Sequence, residues 1–100
     1  MFKITNQIDL ADGEIQFSAV RAQGPGGQNV NKVSSAVSLQ FDVRASSLPK
    51  RYKDGVLALH DRRISHKGIV TIKAQRFRSQ GKNREDAVNR LRNLILRGVI

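Results

Sequence analysis

The sequence predicts an α+β domain: a small mixed sheet of about three to four strands packed on one face by two helices. Two observations predict the strands. Apolar and polar residues alternate in Glu14 to Val20 and Ala36 to Val43, and Gly68 to Ala74 is rich in β-branched residues. A third predicts the helices, because apolar residues return at helical spacing in the stretch before Gly68 and again near the end of the chain. A chain of 100 residues with 39% hydrophobic content has material for one modest core, so residues 1–100 read as one domain.

In the first strand, Ile15, Phe17 and Ala19 share one face and Gln16 and Ser18 the other. The second repeats the pattern more clearly, with Val37, Leu39, Phe41 and Val43 inward and Ser38, Gln40 and Asp42 outward. Ser46-Ser47-Leu48-Pro49 offers a hydroxyl cap with Pro in the first turn. Leu48, Tyr52, Val56 and Leu59 then space a helix to about Arg63, weakened by Gly55 within it. The turn-like His66-Lys67-Gly68 leads into the third strand, whose Ile69, Val70, Thr71 and Ile72 favour extended backbone. The second helix is expected to start with Asn83 as its cap. It lays Ala87, Val88, Leu91, Leu94 and Ile95 along one face and stops at Gly98.

Charge narrows the partner. Residues 1–20 carry Lys3 against Asp9, Asp12 and Glu14, a net −2. The net charge of the whole chain is +10, so residues 21–100 carry +12. A field of that sign favours a polyanion, because each Lys or Arg that meets a phosphate releases counterions. Nucleic acid therefore leads over membrane, since a membrane-surface helix needs bulky aromatics opposite its cations and the sequence scatters Tyr52 and four Phe. No apolar run approaches the roughly 18 residues that span a bilayer, and FKITNQIDL lacks the pattern of a signal peptide. With no Cys there is no disulfide framework, thiolate metal site or Cys nucleophile, and the setting expected is cytoplasmic. His60 and His66 have no third partner to make a metal site, so no metal and no cofactor are expected.

The connection from Arg21 to Ser35 fits no regular element. It is long and polar, has glycines at 24, 26 and 27 with Pro25 among them, and belongs to a span from Ile15 through Phe41 that contains no acid. A phosphate-cradling P-loop is excluded, because Lys32 stands between Asn31 and Val33 without the required Gly and hydroxyl neighbours. The dinucleotide fingerprint fails because its third Gly falls at Asn29. Ser34 and Ser35 have no Gly-x-Ser-x-Gly frame, so no nucleophile elbow is present. Gly-Gly-Gln remains, and as a tripeptide it does not choose between a catalytic loop and a flexible one.

The longer segment Gly24-Pro25-Gly26-Gly27-Gln28-Asn29-Val30-Asn31-Lys32, continuing through Ser34-Ser35-Ala36-Val37, resembles the GGQ loop of class I peptide-chain release factors. Arg44-Ala45-Ser46-Ser47-Leu48-Pro49, Ile72-Lys73-Ala74-Gln75, Arg78-Ser79-Gln80 and Asn83-Arg84-Glu85 extend the likeness to the YaeJ (ArfB) type of stalled-ribosome rescue peptidyl-tRNA hydrolase, roughly from Asp12 to Leu96. Lys32 favours that branch, since codon-reading factors usually carry Thr there and carry a separate codon-recognition domain, for which 100 residues leave no room.

The resemblance implies codon-independent hydrolysis of the ester between nascent peptide and tRNA. The implied partners are the large-subunit peptidyl transferase centre with its ribosomal RNA and the P-site peptidyl-tRNA; the protein itself is expected to be monomeric. It makes Gly26, Gly27 and Gln28 the catalytic residues, and Arg21, Asn29, Asn31, Lys32, Arg76 and Arg78 the candidates for RNA contact. A non-catalytic basic RNA-binding or ribosome-associated domain is the competing reading. The resemblance also implies a Lys/Arg-rich tail beyond the last helix, absent from this chain, which ends at Arg97-Gly98-Val99-Ile100.

Overall fold

The computed structural model describes residues 1–20 and 35–99. The elements run β1 (Phe2–Lys3), β2 (Asp9–Leu10), β3 (Ile15–Ala19), β4 (Val37–Asp42), α1 (Lys50–Leu57), β5 (Ile69–Ala74) and α2 (Gln80–Arg97), with a 3-10 turn at Asp12–Glu14. The main sheet has the order β3-β4-β5 and is antiparallel throughout, where a mixed sheet was expected. The physical reason lies next to β5. The chain between α1 and β5 runs back along the sheet edge, Ile64 bridging Val70 and Thr71 N–H donating to Arg63 O at 2.9 Å, so β5 enters by a tight turn and pairs antiparallel.

Register turns the sequence alternation into a layered core. Across the three strands Ile15 faces Phe41 and Phe41 faces Val70, Phe17 faces Leu39 and Leu39 faces Ile72, and Ala19 faces Val37 and Val37 faces Ala74. All these side chains lie on one face because the strand period is two. The helix α2 covers that face with Ala87, Leu91, Leu94 and Ile95, all buried, and α1 adds Val56 beside it. Burial of such apolar surface is the main force holding the layers together, about 25 cal/mol for each Å² removed from water. The other face carries the rows Gln16–Gln40–Thr71 and Ser18–Ser38–Lys73.

Several boundaries differ from expectation. The ribbon β1–β2 was not foreseen, since two-residue strands have no readable period. It is closed by Ile4 N–H donating to Ile8 O at 2.8 Å and it buries Ile4 and Leu10 in the core. The serines before α1 do not cap it. Ser46 Oγ donates to Val43 O at 2.7 Å, while Ser47 gives its N–H and its hydroxyl to the Glu14 carboxylate at 2.6 and 2.8 Å, leaving Pro49 at the N-cap. These bonds, with the Ala11 N–H, outweigh partial burial and hold the Glu14 carboxyl below its usual range. The helix also ends at Leu57, short of Arg63. Asp61 takes the Arg63 N–H at 2.9 Å and its guanidinium at 2.8 and 2.9 Å, forming a turn that competes with helix. Gly68 stands in that connection with φ +85°, a conformation that L side chains rarely adopt.

Candidate nucleic-acid interface

The segment with Gly26, Gly27 and Gln28, together with Arg21, Asn29, Asn31 and Lys32, lies outside the described residues. Its two feet are described. Val20 N–H donates to Ala36 O at 2.9 Å and Ala19 faces Val37, so the chain leaves β3 and rejoins β4 at neighbouring points on one end of the sheet.

Arg76 and Arg78 fall in the short connection from β5 to α2, at that same end. Ser35 Oγ donates to Phe77 O at 3.3 Å, which fixes this connection beside the second foot. The joint is made by Asn83. Its side chain is wholly buried, accepts the Phe77 N–H at 2.9 Å, and donates at 2.9 Å to both Phe77 O and Ser35 O. Three backbone groups are thus satisfied by one carboxamide, which has both donors and an acceptor to give. The expectation that Asn83 caps the helix is corrected. The cap is Ser79, whose hydroxyl accepts Lys82 N–H at 3.3 Å, and α2 begins at Gln80. The hydroxyl of Ser79 three residues before Lys82 was the available signal; Asn83 as an internal clamp has none in sequence.

The site is basic with few counter-charges. Arg76 approaches Asp86 at 4.0 Å, while Arg90 takes the same carboxylate at 2.9 Å. Arg78 has no ion pair among the described residues. Two further features were missed in the sequence. Phe77, between the two arginines, is 39% exposed and has the Arg76 guanidinium 5.8 Å from its ring centroid. On the outer face of the sheet Arg62, Arg63 and Lys73 line an open groove with Ser65, Ile69 and Thr71. Within it Arg63 is held by Asp61, whose carboxyl that guanidinium keeps well below the usual range, with Arg97 adding at 3.6 Å.

His60 and His66 are both exposed, and no group of three or more His, Asp or Glu among the described residues is placed to hold a metal ion. No helix among the described residues is long and apolar enough to cross a membrane.

Comparison with known proteins places this architecture. The RF-1 domain matches residues 3–99. The chain is 56% identical over 96 residues to the peptidyl-tRNA hydrolase ArfB of Pseudomonas putida, covering 96% of this chain and 70% of that protein. It is 32% identical over 88 residues to peptide chain release factor 1 of Parabacteroides distasonis, 88% of this chain but 20% of that protein. With the large ribosomal subunit protein mL62 of Mus musculus it shares 27% identity over 82 residues, covering 81% of this chain and 40% of that one. The chain belongs to the RF-1 domain family, the domain of class I peptide-chain release factors, and within it to the ArfB type.

Proposed function

We propose that this domain is a peptidyl-tRNA hydrolase of ribosome rescue, cleaving the ester of peptidyl-tRNA on stalled ribosomes without reading a codon. The observation that carries the reading is the 56% identity, over 96% of the chain, to a protein named for that activity. Association with the ribosome follows from the release-factor and ribosomal relatives together. The finer partners are the ribosomal RNA of the peptidyl transferase centre and the P-site peptidyl-tRNA, met by a monomer in the cytoplasm through the single domain 1–100.

In the reaction a water adds to the ester carbonyl carbon, and the tetrahedral intermediate expels the terminal ribose oxygen, which takes up a proton. The products are a peptide with a free carboxyl group and the deacylated tRNA. Gln28 is no general base, because a carboxamide does not titrate near neutral pH. Its contribution is placement: its backbone N–H meets the developing oxyanion and its side chain holds or gates the water. Gly26 and Gly27 keep the backbone bare so that it can approach the ester. Arg21, Asn29, Asn31 and Lys32 beside them, and Arg76 and Arg78 at the foot, contact RNA. Ribosomal RNA and the tRNA hydroxyl supply the remaining groups, so the domain alone is inert.

The test is release of labelled peptide from ribosomes carrying peptidyl-tRNA, with and without message in the channel. Turnover on ribosomes, and none on peptidyl-tRNA in solution, is the expected result. Binding to ribosomes without release would support the competing reading, a basic RNA-binding domain.

A further inference from the structure

The Phe77 ring stands at the sheet end where Val20 and Ser35 close the fold, and it is one of two large hydrophobic residues exposed among the described residues, the other being the terminal Met1. The Phe77 backbone is held inside the chain. Its N–H and C=O are both bound by the buried Asn83 side chain, and its C=O also by Ser35 Oγ. The backbone is thus fixed while the ring stays partly outside the core, so the ring is presented to the surroundings at one set position.

The chemistry of its neighbours selects that partner. Arg76 lies against the ring, Arg78 follows it, and Lys82 is exposed in the first turn of the helix beyond. Among the described residues the carboxylate that pairs with Arg76, Asp86, is shared with Arg90 and reaches Arg76 only at 4.0 Å. A flat apolar face beside a guanidinium, with further cations next to it in the chain, fits a nucleotide, base on the ring and phosphates on the cations, since every base has a π-face and stacking tolerates sequence.

We propose that Phe77 is a stacking platform for an unstacked RNA base, with Arg76 and Arg78 binding the flanking phosphates. The proposal rests on the reading of this domain as one that works on ribosomal RNA, and it names a residue and a mode of contact beyond it. Stacking differs from phosphate binding in a measurable way. Losing the ring weakens binding by a similar factor at every salt concentration, whereas losing a phosphate contact lowers the salt slope by about 0.7 for each contact to a single strand.

The experiment measures binding to a short single-stranded RNA, to inorganic polyphosphate and to ribosomes, for wild type, Phe77→Ala, Phe77→Trp and Arg78→Ala over a range of salt. Phe77→Ala is expected to weaken RNA binding about ten-fold or more with the slope unchanged and polyphosphate binding unaffected. Arg78→Ala is expected to reduce both affinities and the slope. Phe77→Trp should retain affinity, and as the sole Trp of a chain that has none it should report RNA by fluorescence quenching. Phe77→Ala equal to wild type on RNA, or a Trp signal indifferent to RNA, overturns the platform while the RNA-binding reading stands. Wild type that binds neither RNA nor ribosomes overturns both.

Discussion

Gly55 of α1 and Gly98 at the end of α2 meet backbone to backbone. A Cβ on Gly98 would lie 2.7 Å from Gly55 C and Val56 N, and one on Gly55 would lie 2.6 Å from Gly98 C. Gly98 ends α2 as expected, and with φ −68° it does so in right-handed backbone, so what its bareness serves is the close approach.

The substitution Gly55→Ala therefore tests packing against propensity. Helix propensity alone predicts a gain of roughly 1 kcal/mol for Ala in a helix interior. Forcing a methyl group against fixed backbone is expected to reverse the sign, with a net loss of about 1–3 kcal/mol in chemical denaturation. A stabilised variant would show that the helices separate at no cost.

Asn83→Ala should cost more than Ser79→Ala. Removing the cap hydroxyl is worth about 1 kcal/mol. Removing the carboxamide takes its bonds from Phe77 N–H and Ser35 O, Phe77 O keeping the Ser35 hydroxyl, and each buried polar group left unsatisfied costs about 1–3 kcal/mol. Denaturation midpoints of the two variants check the order. A larger loss for Ser79→Ala would restore Asn83 to a minor role.

Acid sensitivity should trace to Asp61. Its folded-state pKa is depressed by the Arg63 guanidinium, so its contribution to stability is complete above the ordinary Asp value near 4 and is lost as pH falls through the folded-state value. Glu14, also depressed, acts in the same direction. Asp61→Asn should destabilise at pH 7, and its deficit against wild type should shrink between about pH 5 and pH 2. A deficit independent of pH would mean that the carboxylate charge is not what holds Arg63.

The strands were legible because one face is buried and the other, Ser38 apart, is wet, which writes a period of two into Val37 through Val43. The apolar face of α2 was legible for the same reason, whereas its start was not. Asn is a good cap in general, and only the fold reveals that this one reaches Ser35, 48 residues away. The length of α1 was misread because Leu59 keeps helical spacing beyond Leu57, and the Asp61 turn that ends the helix depends on Arg63. At the candidate site the proposed chemistry rests on the motif Gly26-Gly27-Gln28 and its neighbours, which lie outside the described residues. The geometry adds what composition could not: Phe77 and its arginines are fastened to the foot of that segment.

Peptide release on stalled ribosomes by Gly27→Ala, set beside Gln28→Ala and wild type, tests the central claim most directly. Gln28→Ala keeps the backbone N–H and loses the amide that holds water, and a slowing of about ten-fold or more with ribosome affinity nearly intact is expected. Gly27→Ala adds a Cβ where the backbone must approach the ester, and its loss should be greater, about 10²–10³-fold, the size of one displaced oxyanion donor. Thermal unfolding of the same samples verifies that both variants are folded. Release by Gly27→Ala at the wild-type rate would contradict the account.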